Sequence, residues 1–282
     1  MQLQLKRAAS LGIAWLGFFC STAWAYPSIE SISPAQPEAY QPFTITILYL
    51  EEAPGGHLPG ILGVGVEGGT ITLDGYFPST FFMGLIQRKS VIVSGLPQGV
   101  YGINAREAGS SNPATILGDL TVSPAPPAQP VYALYHPDIN HYFLTASTAQ
   151  RDFLVQNPSL GWGVVDEGFK AWPANGPAPV AAKPVCRLYS PLVNTHFFSA
   201  DAASCDSLKQ QTSTWIDEGI AFRALVPTAG TCPHGTLPVW RLYNNRFAQL
   251  DSNHRYVVSQ DTYRHMIANG WIGEGVAFCS PE

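Results

Sequence analysis

Residues 186–201 read C-R-L-Y-S-P-L-V-N-T-H-F-F-S-A-D, and residues 215–222 read W-I-D-E-G-I-A-F. The stretch Cys186–Phe222 decides the fold because its landmarks occur three times. Leu134-Tyr135, Leu188-Tyr189 and Leu242-Tyr243 open the copies, and the tyrosines fall 54 residues apart in both steps. His141-Tyr142-Phe143, His196-Phe197-Phe198 and His254-Arg255-Tyr256 follow, and Glu167-Gly168, Glu218-Gly219 and Glu274-Gly275 close them. Self-similarity at a fixed period marks an architecture of stacked supersecondary units, each too small to bury its own apolar face.

Working outward, each copy predicts two strands, a short helix and a third strand. The first strands are Val131–Tyr135, Val185–Tyr189 and Val239–Tyr243. Ser147, Asp201 and Ser259 are the expected helix N-caps, and Gln150 three residues after Ser147 suggests a capping box. The third strands run around Glu-Gly: Trp162–Ala171, Trp215–Leu225 and Trp271–Cys279. Pro- and Gly-rich connections separate repeats at about 131–172, 185–225 and 239–279. Such ββαβ units are expected to close around a pseudo-threefold axis, with an open stack as the alternative.

The pattern V/W-x-x-L-Y, then H with two aromatics, then W-x-x-E-G-x-A-F resembles a three-copy bacterial and fungal repeat family classed as a domain of unknown function. The resemblance covers residues 131–282. It implies secretion and the company of hydrolases or immunoglobulin-like domains, and it implies no established reaction. Phe169-Lys170-Ala171-Trp172 and Arg255 depart from the pattern.

Residues 26–123 read as an all-β unit. Phe43–Leu50 is a strong period-2 strand, with Thr44 and Thr46 on one face and Phe43, Ile45 and Ile47 on the other, and Gly68-Gly69 between Gly63–Glu67 and Thr70–Leu73 signals a hairpin. Seven short strands suggest a β-sandwich. Leu96-Pro97-Gln98-Gly99-Val100-Tyr101 resembles the L-P-x-G-x-Y turn of bacterial immunoglobulin-like and fibronectin-like domains, in which the tyrosine hydroxyl bonds nearby backbone. The aromatic run Tyr76–Met83 reads as core strand and turn, or as an exposed patch. Residues 124–130, rich in proline, predict an extended linker holding two domains apart. The fold class expected is therefore mainly β with short helices: an immunoglobulin-like sandwich followed by three ββαβ repeats.

The first 25 residues carry Lys6-Arg7, an apolar run and Ala23-Trp24-Ala25, the grammar of a removed signal peptide. This predicts a secreted protein, periplasmic or extracellular, with no later membrane span. Net charge of −5 without a basic cluster argues against nucleic acid. Past that segment four cysteines remain, and four allow three pairings. Cys186–Cys205, joining a first strand to its helix, and Cys232–Cys279, closing repeat three's entry on its exit, are the favoured pairs in an oxidising compartment.

Three residue sets are candidate ligand-binding positions. His141, His196 and His254 could converge on an axis to hold zinc, but symmetric placement usually leaves such groups apart, so no metal or other cofactor is expected. Glu167, Glu218 and Glu274 could run acid–base hydrolysis, yet that chemistry needs carboxylates in unlike environments. A His–Glu contact is the structural expectation for both sets. Trp162, Trp215 and Trp271, with the Leu-Tyr tyrosines, could stack on sugar rings or simply form the shared core. The expected function is an exported non-catalytic binding or adhesion protein for polysaccharide or cell-wall glycan. An extracellular hydrolase acting on glycan or peptide, and a surface spacer with no small ligand, are the alternatives.

Overall fold

A computed structural model describes residues 27–51, 60–76, 85–108 and 113–282. The expected signal segment and the aromatic residues 77–83 lie outside the described residues.

Among the described residues the protein is mainly β, with three short α-helices. Strands β1 (Ser28–Ser33), β2 (Phe43–Glu51), β3 (Gly60–Glu67), β4 (Thr70–Tyr76), β5 (Leu85–Val93), β6 (Gly99–Glu107) and β7 (Thr115–Val122) form two sheets, ordered β1-β2-β5 and β3-β4-β6-β7. The alternation of β2 has the physical consequence expected of a two-residue side-chain period. Phe43, Ile45 and Ile47 enter a core shared with Ile71, Leu73 and Ile103, while Thr46 faces out against Ser90. Gly68 and Gly69, both at positive φ, make the β3–β4 turn. Tyr101 donates its hydroxyl to the carbonyl of Pro97 at 3.0 Å. The parallel pairing of β4 with β6 was not legible in the sequence.

Three units follow, each in the order strand, strand, helix, strand. The first is β8 (Gln129–His136), β9 (His141–Thr145), α1 (Thr148–Gln156) and β10 (Gly163–Pro173). The second is β11 (Lys183–Ser190), β12 (Thr195–Ser199), α2 (Ala202–Lys209) and β13 (Ile216–Ala224). The third is β14 (Thr236–Tyr243), β15 (His254–Val257), α3 (Gln260–Ala268) and β16 (Ile272–Pro281). In each the first strand lies between the other two. The three expected N-caps accept backbone N–H bonds at their helix starts. The Ser147 box forms only on that side, because the Gln150 side chain instead accepts from Thr145 and Arg187.

The units meet through their third strands. β10 pairs with β13 at Trp172–Arg223 and Pro173–Phe222. Cys279 N–H donates to Leu225 O at 2.8 Å, and Lys170 N–H donates to Ser280 Oγ at 2.9 Å. Phe169, Phe222 and Phe278 are thereby brought together, with ring centroids 5.6, 6.2 and 5.6 Å apart. All three are buried, inside a core that all three units supply.

A helix of eight or nine residues has no stability of its own and must be held to its unit. The same two positions do this each time: one on the first strand, opposite Thr145, Ser199 or Val257, and one four residues after the N-cap. In unit 2 they are Cys186 and Cys205, joined as a disulfide. In unit 3 they are Trp240 and Tyr263, with rings 5.7 Å apart. In unit 1 they are Tyr132 and Arg151, whose guanidinium lies 4.3 Å from the ring centroid. The second expected disulfide, Cys232–Cys279, also forms.

The proline-rich segment does not hold the two parts of the chain apart as its composition suggested. Trp172 is buried, donates its indole N–H to Pro126 O at 2.8 Å and packs edge-on against Tyr40 at 6.1 Å. Glu38 accepts from Val180 N–H at 3.0 Å, and Ala128 packs in the same cluster as Trp172, Leu225 and Cys279. Apolar surface on both sides is reason enough for contact, since leaving it in water costs about 25 cal/mol per Å².

Trp172→Ala is expected to lower stability by about 3–5 kcal/mol and to uncouple the two parts. Urea unfolding followed by separate probes of each part checks this, and coincident transitions in the variant would refute the coupling. Replacing Cys186 and Cys205 together by alanine is expected to cost about 3 kcal/mol, the chain-entropy value for a loop of 19 residues.

Candidate functional site

Strand register, rather than residue type, shows which side chains are equivalent. Tyr189 faces His196 and Tyr243 faces His254, but Tyr135 faces Tyr142. The rings of these pairs lie 4.8, 5.0 and 4.7 Å apart. His141 is therefore not the counterpart of His196 and His254. It stands one place earlier, level with Thr195 and Asn253.

Glu167 is displaced too. Counted from the tryptophan, the buried phenylalanine comes seven residues later in every unit, whereas the glutamate comes three residues after Trp215 and Trp271 and five after Trp162. The place of Glu218 and Glu274 is held in unit 1 by Val165. Gly219 and Gly275 take φ of 81° and 82°, at register shifts where a side chain would be strained. Gly168 takes no positive φ, but a side chain there would press on Val131 O at 2.8 Å.

The three sets consequently do different work. His141 lies buried, with Nδ1 2.8 Å from Asn194 O and Nε2 2.9 Å from Asp251 Oδ1. Thr195 reaches Asn253 Oδ1 at 3.5 Å, and Asn253 donates to Asn140 O at 3.2 Å. These contacts run from unit 1 to 2, from 2 to 3 and from 3 back to 1. Asp251 belongs to the Asn244–Asn253 loop, longer than its counterparts, and also pairs with Arg246 at 2.5 Å.

Two residues further on, each unit packs against a ring of its neighbour. Phe143 packs on His196 at 4.7 Å, Phe197 on His254 at 5.2 Å, and the Arg255 guanidinium on Tyr142 at 4.4 Å. Within units 2 and 3 the expected His–Glu contact exists. His196 Nε2 is 3.1 Å from Glu218, and His254 Nε2 is 3.5 Å from Glu274. Each glutamate also takes an arginine that sequence reading missed. Arg187 Nε lies 2.8 Å from Glu218, poorly aligned for a hydrogen bond, and Arg241 Nε donates to Glu274 at 2.7 Å. Arg187 and Arg241 lie over Phe143 and Phe197 of the preceding units.

Unit 1 has Ala133 in the arginine's place and Val165 in the glutamate's. Its ion pair is rebuilt from other positions: Arg255, where units 1 and 2 have phenylalanine, bonds Glu167 across the junction of units 3 and 1. The departure at Arg255 is thus a structural substitution with a partner.

Burial, then the nearby Arg187, lowers the His196 pKa to about 4. Burial, then Arg241, lowers that of His254 to about 3. Both are neutral at pH 7, so neither pair with glutamate is an ion pair there. Among the described residues no group of three or more His, Cys, Asp or Glu is placed to hold a metal ion. Trp162, Trp215 and Trp271 remain partly exposed, packed respectively beside His136 and Phe143, beside Phe197 and beside Tyr142. A small, partly enclosed cavity lies between Ala133, Tyr142, Glu167, His254 and Tyr256.

Residues 130–281, more than half of the chain, match the profile of DUF5648, a domain of unknown function. The chain belongs to this family. The DUF5648 match spans all three units, from the start of β8 to the end of β16. No curated protein and no solved structure matches the chain. No helix among the described residues is long and apolar enough to cross a membrane.

Because the folded-state pKa of each histidine lies below its unfolded value of 6.5, the unfolded chain binds the extra proton first as pH falls. Stability is therefore expected to decline from about pH 6.5 towards pH 4, by up to about 1.4 kcal/mol per pH unit for each histidine. The double variant His196→Gln/His254→Gln should flatten this slope between pH 6 and 4.5 in urea titrations. An unchanged slope would place the acid sensitivity elsewhere.

Proposed function

We propose that this DUF5648 protein is an exported, non-catalytic binding protein whose three-unit part recognises polysaccharide or cell-wall glycan. The observation that carries the reading is the division of labour among the candidate residues. His196, His254, Glu218 and Glu274 are committed to arginine and to each other inside their units. Trp162, Trp215 and Trp271 keep part of their surface exposed, beside His136, Phe197 and Tyr142 respectively. Partly exposed aromatics with a polar handle suit the apolar face and hydroxyl rim of a sugar ring.

Glycoside hydrolysis by a pair of carboxylates needs the two in unlike environments. Glu218 and Glu274 occupy matching ones, and Glu167 is held by Arg255. Export is supported by two disulfides, which persist in oxidising compartments, and by the signal-like first 25 residues. An internally repeated part preceded by an immunoglobulin-like module is the domain organisation that goes with this reading.

The whole exported chain, presented to a glycan array and to insoluble polysaccharides, is expected to be retained by at least one neutral glycan. Trp271→Ala should weaken that retention at least tenfold while leaving both disulfides and the far-UV spectrum intact. Retention by no glycan would overturn the reading.

A further inference from the structure

The junction of units 3 and 1 differs from the other two by what it lacks. Ala133, opposite Leu144, takes the register place that Arg187 has opposite Phe198 and Arg241 has opposite Tyr256. Both members of the unit 1 pair are smaller than their counterparts, so side-chain volume is missing on one side only. The missing volume is the cavity bounded by Ala133, Tyr142, Glu167, His254 and Tyr256, with room for little more than one water-sized group.

Phe143, Leu144 and Phe198 complete its lining; of its polar side chains Tyr142 is engaged by Arg255, and His254 and Glu167 offer acceptors. His254 is neutral and its Nε2 faces Glu274, so the proton belongs on Nε2 and Nδ1 carries a free lone pair. That Nδ1 is buried and has no hydrogen-bond partner. Glu167, whose side chain is 13% exposed, bonds Arg255 through Oε2. Tyr256 has spent its hydroxyl, donating to Phe198 O at 2.8 Å and accepting from Phe198 N–H at 3.2 Å. A buried acceptor without a donor is destabilising, so whatever fills the cavity is favoured if it donates. The charges nearby already cancel, Glu167 against Arg255 and Glu274 against Arg241. A neutral donor therefore fits better than a cation. Partly exposed aromatics flank the cavity: Tyr142 packs against Tyr135 at 4.7 Å and against Trp271 at 6.1 Å.

We propose that this junction is a saccharide subsite, in which one sugar hydroxyl enters the cavity and donates to His254 Nδ1 or Glu167 while the ring rests against the Trp271 and Tyr135 edge. The site rests on the glycan-binding reading and adds to it a location and a selectivity. Of the three junctions only this one has alanine in place of the first-strand arginine, so one saccharide is bound per chain. A buried water would meet the same acceptors, and the experiment separates the two sources.

The test uses the whole chain and the neutral glycan that retains it best, with a series of its monodeoxy analogues in calorimetric titration. Loss of one particular hydroxyl is expected to weaken binding at least tenfold, and loss of the others by much less. Ala133→Leu, which fills the cavity, should weaken the parent glycan tenfold and abolish the preference for that hydroxyl. A crystal of the complex should show the hydroxyl oxygen in the cavity. If the wild-type chain binds glycan but no single deoxy analogue is penalised, or the crystal shows water there and sugar elsewhere, the subsite is wrong although the function stands. If no glycan binds the wild-type chain, the functional reading itself has failed. The deoxy series and the crystal require only the wild-type chain, so they decide the matter even if Ala133→Leu does not fold.

Discussion

Contact among Phe169, Phe222 and Phe278 is the constraint on which the C-terminal part of the molecule depends. A unit of three strands and one helix of eight or nine residues has one apolar face and nothing within itself to cover it. The three rings supply that cover mutually, each a buried residue of a third strand. Everything around them follows from bringing these strand ends to one place: the β10–β13 pairing, the bond from Cys279 to Leu225 and that from Lys170 to Ser280. The seven-residue spacing from tryptophan to phenylalanine is kept in all three units.

Other positions are free to change chemistry so long as their task is done. Strand and helix are held together by a disulfide in one unit, by a Trp–Tyr contact in the next and by an arginine on a tyrosine in the third. The junctions show the same freedom with charge. Two use arginine, glutamate and histidine within one unit, against a phenylalanine from its neighbour. The other moves the arginine across to the neighbour, as Arg255, and the glutamate two residues along, as Glu167. A buried charge must have a partner, so neither could have moved alone. The exchange leaves Ala133 where an arginine side chain would otherwise lie, and a space beside His254.

Much of this was legible in the sequence. Period-2 alternation in Phe43–Leu50, the Gly68-Gly69 turn, the three N-caps, the tyrosine turn at Tyr101 and both disulfides are local matters of side-chain type and spacing. The alignment of the copies was less secure. Matching histidine to histidine and glutamate to glutamate misplaced His141 by one residue and Glu167 by two. Counting back from Ser147 to Tyr142, and forward from Trp162 to Val165, would have corrected both, because caps and buried aromatics mark the geometry that polar residues merely use. Trp172, which broke the repeat pattern, was unreadable alone: its partners Tyr40 and Pro126 are remote in sequence.

The sequence by itself determined the units, their strands and helices and the aromatic positions, since these follow from local backbone preference and from which residues avoid water. Only the tertiary structure decided which residues are equivalent, which carboxylate meets which cation and where a polar atom is left without a partner. Those depend on strand register and on contacts between units more than fifty residues apart. A single-residue slip in register turns a side chain to the other face of its strand, and composition does not record such a slip.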